Sequence, residues 1–385
     1  MLVLRRADDA RTYPGRWSGV SGYLELDDPL EQAYAEIAEE TGLDRGNVEL
    51  RASARPLQVE GSDARRWLVY PFLFSCLRPG TVRLNEENAA AEWVDPQALS
   101  ELPTVPALEE AYVHAKLAER VERIAKDDRH GASWLAKEAV EAVAEAVELG
   151  ADVIELARDL VQARPAMGAI CGALGRVLAA GRTPEQVVEE ARALVAARER
   201  ASAAIAVLLE PYIEGVVMTH SASATVREAL VHTPPDRVVC TVSEPVGEGR
   251  ELEAQLREEG FATELVPDED APHAVRSVNL LLVGADTVYR DGSLVNKVGT
   301  AGLAEAAKDA GVPVVVACEV IKLAPVESRD PGEERFDLTP AQLVDTFVTE
   351  EGAFTPEDIA SLIDRTPFLR SGYELLAPAA RRGAP

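Results

Sequence analysis

From Gly215 to Ala317 the chain repeats one pattern: a short run of apolar, β-branched residues, then a longer stretch with apolar residues at helical spacing. The short runs are Gly215–Thr219, Arg237–Val242, Ala262–Val266, Val278–Val283 and Pro313–Ala317, and the helical stretches lie at 223–231, 249–259, 270–277 and 301–310. Continuous apolar runs of this length suit strands covered on both faces. Their alternation with helices predicts a doubly wound parallel sheet with right-handed crossovers. After Phe336–Pro340 the pattern predicts a helix, then Thr349-Glu350-Glu351-Gly352 and a short helix following Thr355-Pro356.

Upstream the period changes to purely helical. Ala115–Ala125, Ser133–Glu148, Ala151–Ala163, Met167–Ala180 and Pro184–Val207 are rich in Ala, Leu, Val, Glu and Arg, and Gly131, Gly150, Gly168 and Gly181 punctuate them. Before these lies a mixed segment. It has a strand at Leu2–Arg5, a turn-rich loop over 13–22, a helix from Pro29 to Thr41 stopped by Gly42, and strands at Val48–Arg55, Arg66–Leu77 and Ala91–Val94. The chain therefore divides into three expected parts, 1–112, 113–210 and 211–385, in an α/β class.

Composition narrows the function classes. The net charge of −27 argues against direct nucleic-acid binding, which needs a basic surface. Only six lysines occur (116, 126, 137, 297, 308 and 322), and an acidic, lysine-poor surface is what a high-salt cytoplasm would favour, where salt screens self-repulsion. No apolar run approaches the ~20 residues that span a bilayer, and no signal-peptide pattern opens the chain, so no membrane partner and a cytoplasmic location are expected. Cys76, Cys171, Cys240 and Cys318 stand far apart, without metal-ligand or disulfide spacing.

The chemistry-bearing residues gather in a few places. Asp286 follows the apolar run ending at Val283, where open α/β sheets bind ligands. Lys297 precedes the Gly299-Thr300 pair that opens a helix, so a strand-end carboxylate, an amine and a helix N-terminus suit a phosphorylated small molecule; alternatively Asp286 caps a turn. Arg164-Pro165 before a helix offers a guanidinium beside free N–H groups, as a phosphate site or as an ordinary helix start. Glu36, Glu39 and Glu40 share one helix face, an arrangement that Mg²⁺ would relieve or that a solvated acidic face would tolerate.

Gly22 through Leu43 resembles a Nudix box. Ala35-Glu36-Ile37-Ala38-Glu39-Glu40-Thr41-Gly42-Leu43 matches R-E-U-x-E-E-x-G-U except at Ala35, where the box has Arg; Gly22 to Ala35 is one residue short, and Asp27 or Asp28 stands for the first box Glu. The resemblance implies a Nudix α/β/α fold, a strand before Leu2–Arg5, and Mg²⁺ held by Glu36, Glu39 and Glu40 for diphosphate hydrolysis; the departures imply a degenerate site.

His130-Gly131-Ala132-Ser133, Arg164-Pro165, Thr219-His220-Ser221, Gly284-Ala285-Asp286, Asn296-Lys297-Val298-Gly299-Thr300 and Thr349-Glu350-Glu351-Gly352 occur in order. Together, over about 113–370, they resemble the family of translation initiation factor 2B alpha, beta and delta subunits. Ribose-1,5-bisphosphate isomerase and methylthioribose-1-phosphate isomerase belong to the same family. The fusion with a Nudix domain resembles proteins of halophilic archaea. The resemblance implies a helical subdomain before a Rossmann-like domain, and a homodimer formed through the latter. It also implies a ligand site of Asp286 and position 221 as the proton-handling pair, with Arg164, Thr219, His220, Asn296 and Lys297 binding substrate. Position 221 is Ser where the isomerases have Cys, and Thr241-Val242-Ser243-Glu244-Pro245 puts Glu244 where the family brings an arginine. A hydroxyl is a poorer proton carrier than a tunable thiol. The expected function is therefore binding of a phosphorylated ribose or nucleotide. The alternatives are a sugar-phosphate isomerase and a Mg²⁺-dependent Nudix pyrophosphohydrolase.

Overall fold

A computed structural model describes residues 1–61, 65–181 and 183–377, without the side chain at position 199. Two compact units emerge, Met1–Arg123 and Ile124–Pro385.

The first unit contains β1 (Leu2–Arg6), β2 (Trp17–Ser18), α1 (Pro29–Thr41), β3 (Val48–Ser53), β4 (Leu57–Glu60), β5 (Arg66–Val69), β6 (Phe72–Cys76) and β7 (Asn88–Trp93). Strands pair antiparallel as β2-β1-β7, β3-β6 and β4-β5. The loop expected over 13–22 thus contains a short edge strand, and the single strand expected over 66–77 is two, because Pro71 has no N–H for a ladder. Helix α1 has the predicted bounds for local reasons. The Asp28 side chain accepts from Leu30 N, Pro29 fits the first turn, and Gly42 takes the left-handed conformation at φ 67°.

Helix α2 (Leu108–Lys126) contains the boundary between the units. The second unit continues with α3 (Ala132–Glu148), α4 (Val153–Ala163), α5 (Gly168–Ala180) and α6 (Pro184–Leu209). Then come β8 (Val216–Thr219), α7 (Ala224–His232), β9 (Arg237–Thr241), α8 (Gly249–Glu258), β10 (Thr263–Val266), α9 (Ala271–Ala274) and β11 (Leu280–Val283). These are followed by β12 (Thr287–Tyr289), β13 (Leu294–Lys297), α10 (Thr300–Ala310), β14 (Val314–Ala317), β15 (Leu323–Ala324), β16 (Phe336–Thr339), β17 (Thr346–Thr349), β18 (Gly352–Phe354), α11 (Ile359–Asp364) and α12 (Pro367–Leu376).

Among the described residues the main sheet has the order β10-β9-β8-β11-β14-β17-β18, parallel except for β18. The strand order reverses beside β8, which opens a crevice at the carboxyl ends. A second sheet, β15-β12-β13-β16, stands beside it. The helix expected after Pro340 is a 3-10 turn, Ala341–Leu343, leading into β17. Phe347 on β17 is fully buried, so its stretch supplies core rather than a helix face. Helix α5 lies tight on the segment after β14: a Cβ at Gly172 would run into the carbonyl oxygen of Ile321. That contact fixes Ile321, the neighbour of Lys322.

Candidate functional site

The carboxyl ends of β8, β9, β11 and β14 each deliver polar residues. Ser221, past β8, adopts φ +67°, a conformation that costs a non-glycine residue and that surrounding contacts must hold. Its N–H donates to Ser243 Oγ (2.8 Å), which is 2.8 Å from Thr241 Oγ1, and Thr241 Oγ1 lies 2.7 Å from His220 Nδ1. His220 Nε2 lies 2.9 Å from the carbonyl of Val298, so it carries the proton and donates, while Nδ1 accepts from Thr241. Burial pushes the His220 pKa down, which agrees with a neutral ring. Both ring nitrogens are thus engaged inside the protein, and His220 holds the Ser221 loop. Thr219 is also buried, with Oγ1 unpartnered.

The Ser221 hydroxyl donates to Glu248 Oε1 (2.7 Å), and the same oxygen takes the Lys297 ammonium at 2.8 Å. Lys297 ends β13, which pairs with β12 to form the hairpin that places Asp286: its N–H donates to Val295 O at 2.9 Å. Burial pushes the Asp286 carboxyl from 3.8 up to about 6. The positive charges of Lys322 and Lys297 oppose that rise, and Glu248 and Glu333 add to it. Lys322 is itself 3.6 Å from Glu319, whose carboxylate also receives Arg198 (3.1 Å) and the Ser133 hydroxyl (2.9 Å). Asn296, buried, donates to Thr300 Oγ1 at 3.1 Å and so tightens the turn into α10.

Arg164 is 2% exposed. Its Nε donates to Ile124 O (2.9 Å), whereas Nη2 is buried without a partner. Burial, then neighbouring Arg335, push its pKa down, and Glu333 opposes them. Glu333 is therefore a charged neighbour of both Arg164 and Asp286.

Two anion seats expected from helix N-termini are filled from within. Gly299 N and Ala301 N, at the start of α10, both donate to Asp337 Oδ2 (2.8 and 3.2 Å). Gly168 N, at the start of α5, donates to the Thr287 hydroxyl at 2.6 Å. Glu244, expected to confront a ligand phosphate, is exposed, and its carboxylate faces Arg250 at 3.7 Å. Glu248, Lys322, Glu333 and Asp337 escaped the sequence reading. The G-E-G context of Glu248, just past β9, was the signal available for one of them.

In the first unit, Glu36, Glu39 and Glu40 do not form the common exposed face that their spacing predicts. Glu39 is exposed, but Glu40 is 2% exposed, accepts from Ser21 N at 3.2 Å, and is pushed by burial to about 7. Glu36 is half-buried and accepts from Gln32 Nε2 (2.8 Å), while Gln32 Oε1 takes Glu25 N and Leu26 N, each at 3.0 Å. The loop 21–26 lies against these carboxylates: Ser21 N bonds Glu40, and a Cβ at Gly22 would run into the Glu36 carboxylate. Among the described residues no group of three His, Cys, Asp or Glu side chains is placed to hold a metal ion, so these donors as arranged do not fit Mg²⁺. Among the described residues no helix is long and apolar enough to cross a membrane.

Comparison with known proteins bears on both units. Residues 1–119 match the NUDIX domain model, and residues 128–335 match that of the initiation factor 2 subunit family. A ribose 1,5-bisphosphate isomerase of Archaeoglobus fulgidus is 32% identical over 45% of this chain and 65% of its own length. A putative translation initiation factor eIF-2B subunit 2-like protein of Pyrococcus horikoshii is 31% identical over 62% of this chain and 98% of its own. The crystal structure of a Pyrococcus horikoshii OT3 translation initiation factor eIF-2B superposes with TM-score 0.57 and 28% identity, over 63% of this chain and 97% of that one. The chain spans 55% to 65% of the length of the ribose 1,5-bisphosphate isomerases of Haloferax volcanii and Archaeoglobus fulgidus. With more than half of its residues matched by the family model, the chain belongs to the initiation factor 2 subunit family and carries a NUDIX domain ahead of that region.

Proposed function

We propose that the second unit binds a phosphorylated ribose or nucleotide at the carboxyl ends of its parallel sheet, and turns it over slowly or not at all. One observation carries this reading: the Asp286 carboxyl at the strand ends has Lys322, Lys297, Glu248 and Glu333 as charged neighbours, and Arg164, whose Nη2 is buried and unpartnered, shares Glu333 with it. Arg164 offers a buried cation to a phosphate, and Asp286, Asn296 and Ser221 offer polar contacts to a sugar. Slow turnover follows from Ser221. Its hydroxyl is fixed on Glu248, and Glu248 is paired with Lys297, so position 221 offers a poor proton carrier to work with Asp286.

A second reading, aldose–ketose isomerisation, draws support from Asp286 itself. A carboxyl near 6 is suited to exchange protons near neutral pH, and several relatives are isomerases. A NUDIX hydrolase role has less support, because Glu40 is bonded to Ser21 and Glu36 is linked through Gln32 to the loop 21–26, which leaves Glu39 alone as an exposed carboxylate. The second unit is proposed to form a homodimer, in the cytoplasm.

A thermal-shift screen of the full chain against phosphorylated pentoses and nucleotides, with and without Mg²⁺ in molar KCl, tests the reading. Stabilisation by a ribose phosphate, lost in Asp286→Asn, is expected. Stabilisation only by nucleoside diphosphate derivatives with Mg²⁺ would transfer the function to the NUDIX unit.

A further inference from the structure

Around the strand ends nearly every positive group already has a negative one. Lys297 is paired with Glu248 at 2.8 Å, Lys322 with Glu319 at 3.6 Å, and Arg335 with Glu333 at 3.5 Å. The N–H groups opening α10 are taken by Asp337. Several side-chain atoms nevertheless remain buried and unpartnered among the described residues here, Thr219 Oγ1, Glu333 Oε1 and Asp337 Oδ1 among them, and two others stand out by their charge and surroundings. Arg164 Nη2 is a cationic donor, whereas Glu248 Oε2 is an anionic acceptor. Asp286 has Glu248 among its charged neighbours and shares Glu333 with Arg164.

We propose that Glu248 is a specificity-determining residue that, with Arg164, restricts the site to a pentose bearing a single phosphate. This rests on the binding role proposed above and names the ligand class for it. The phosphate sits at Arg164, where the leftover donor and the guanidinium charge complement it. The other end of the sugar presents hydroxyls, one of which donates to Glu248 Oε2. A second phosphate at that end meets a carboxylate whose ammonium partner is already committed. It must either displace Glu248 from Lys297 and Ser221 or approach a like charge on a largely buried side chain, and both are unfavourable. A buried acceptor left without a donor is a strong discriminator, because ligands that lack the hydroxyl leave it unsatisfied. Glu248 thus does by repulsion what an added attractive contact would do less sharply.

The test is calorimetric titration of the full chain with ribose 5-phosphate and with ribose 1,5-bisphosphate, for wild type and for Glu248→Gln. The wild type is expected to bind the monophosphate at least tenfold more tightly, with the gap narrowing in molar KCl as charges are screened. In Glu248→Gln the neutral amide frees the Lys297 ammonium, so bisphosphate affinity rises relative to monophosphate affinity and the ratio of the two shifts at least tenfold towards the bisphosphate. Equal or tighter bisphosphate binding by the wild type overturns the proposal and leaves the broader binding role standing. That comparison needs no variant to fold. An unchanged ratio in a folded Glu248→Gln overturns it as well. Failure of both esters to bind either protein removes the binding role, and the proposal falls with it.

Discussion

Replacing Asp286 by Asn should stabilise the protein, and by an amount that grows with pH. The carboxyl has an ordinary value of 3.8 and is pushed to about 6 in the fold, chiefly by burial. A raised carboxyl pKa means that the folded state holds the proton more tightly than the unfolded one. The associated stability is therefore fully present below about pH 3.8 and is lost as pH rises through about 6. At about 1.4 kcal/mol per tenfold, the full loss is about 3 kcal/mol, an upper figure because the carboxyl keeps some exposure. Near pH 5 roughly half of it has developed. Asn has nearly the same shape and never ionises, so it escapes this cost. Urea denaturation of wild type and Asp286→Asn from pH 5 to pH 8 should show an advantage for Asn of about 1.5 kcal/mol at the acid end. It should grow to about 3 kcal/mol at the alkaline end. A pH-independent difference, or a less stable variant at pH 8, would refute the reasoning, since Lys322 and Lys297 would then stabilise the carboxylate more than burial penalises it. The same residue would be predicted to cost stability and serve the site, a common arrangement where function needs a buried charge.

Gly172→Ala should cost at least about 3 kcal/mol by chemical denaturation, because the new methyl meets the backbone of Ile321 and neither partner is a flexible side-chain end. An effect below about 1 kcal/mol would show that α5 and the Ile321 segment can separate cheaply. Ser221→Cys should raise isomerisation of ribose 1,5-bisphosphate by about 10²-fold or more if the thiol restores a proton carrier, and adding Glu244→Arg should help less than family resemblance suggests, since Glu244 is exposed beside Arg250. No gain in a folded Ser221→Cys that binds the sugar would remove position 221 from the chemistry. Sedimentation of the full chain in molar KCl should give twice the monomer mass; the monomer mass alone would exclude the homodimer.

What the sequence disclosed, and what it hid, follows from the range of the interactions. The bounds of α1 depend on Asp28, Pro29 and Gly42, all within one turn of the ends they set, and the parallel strands declare themselves as short apolar runs. Strands β12, β13 and β16 have three or four residues each, mixed in polarity, so no periodicity could mark them. The sheet they form is nevertheless what carries Asp286 and Lys297. Asp286 could be singled out because it follows an apolar run, and Lys297 because it precedes the Gly299-Thr300 pair that opens a helix. Glu248 and Asp337 could not be assigned roles, because each acts on a partner that only the folded crossovers bring near. The spacing of Glu36, Glu39 and Glu40 correctly put them on one side of a helix. It could not tell that Glu40 lies just far enough round to be covered by the loop at Ser21.

The central claim is that the strand-end site holds a ribose phosphate without efficiently moving its protons. Proton NMR of the full chain mixed with excess ribose 5-phosphate, and separately with ribose 1,5-bisphosphate, in D₂O tests it directly by following exchange of the C2 hydrogen alongside ligand line broadening. The account predicts broadening that shows binding of the monophosphate, with C2 exchange and ketose formation slow on the hour scale for both esters. Rapid exchange with ketose product in the unmodified protein, abolished by Asp286→Asn, would contradict the account and establish the isomerase.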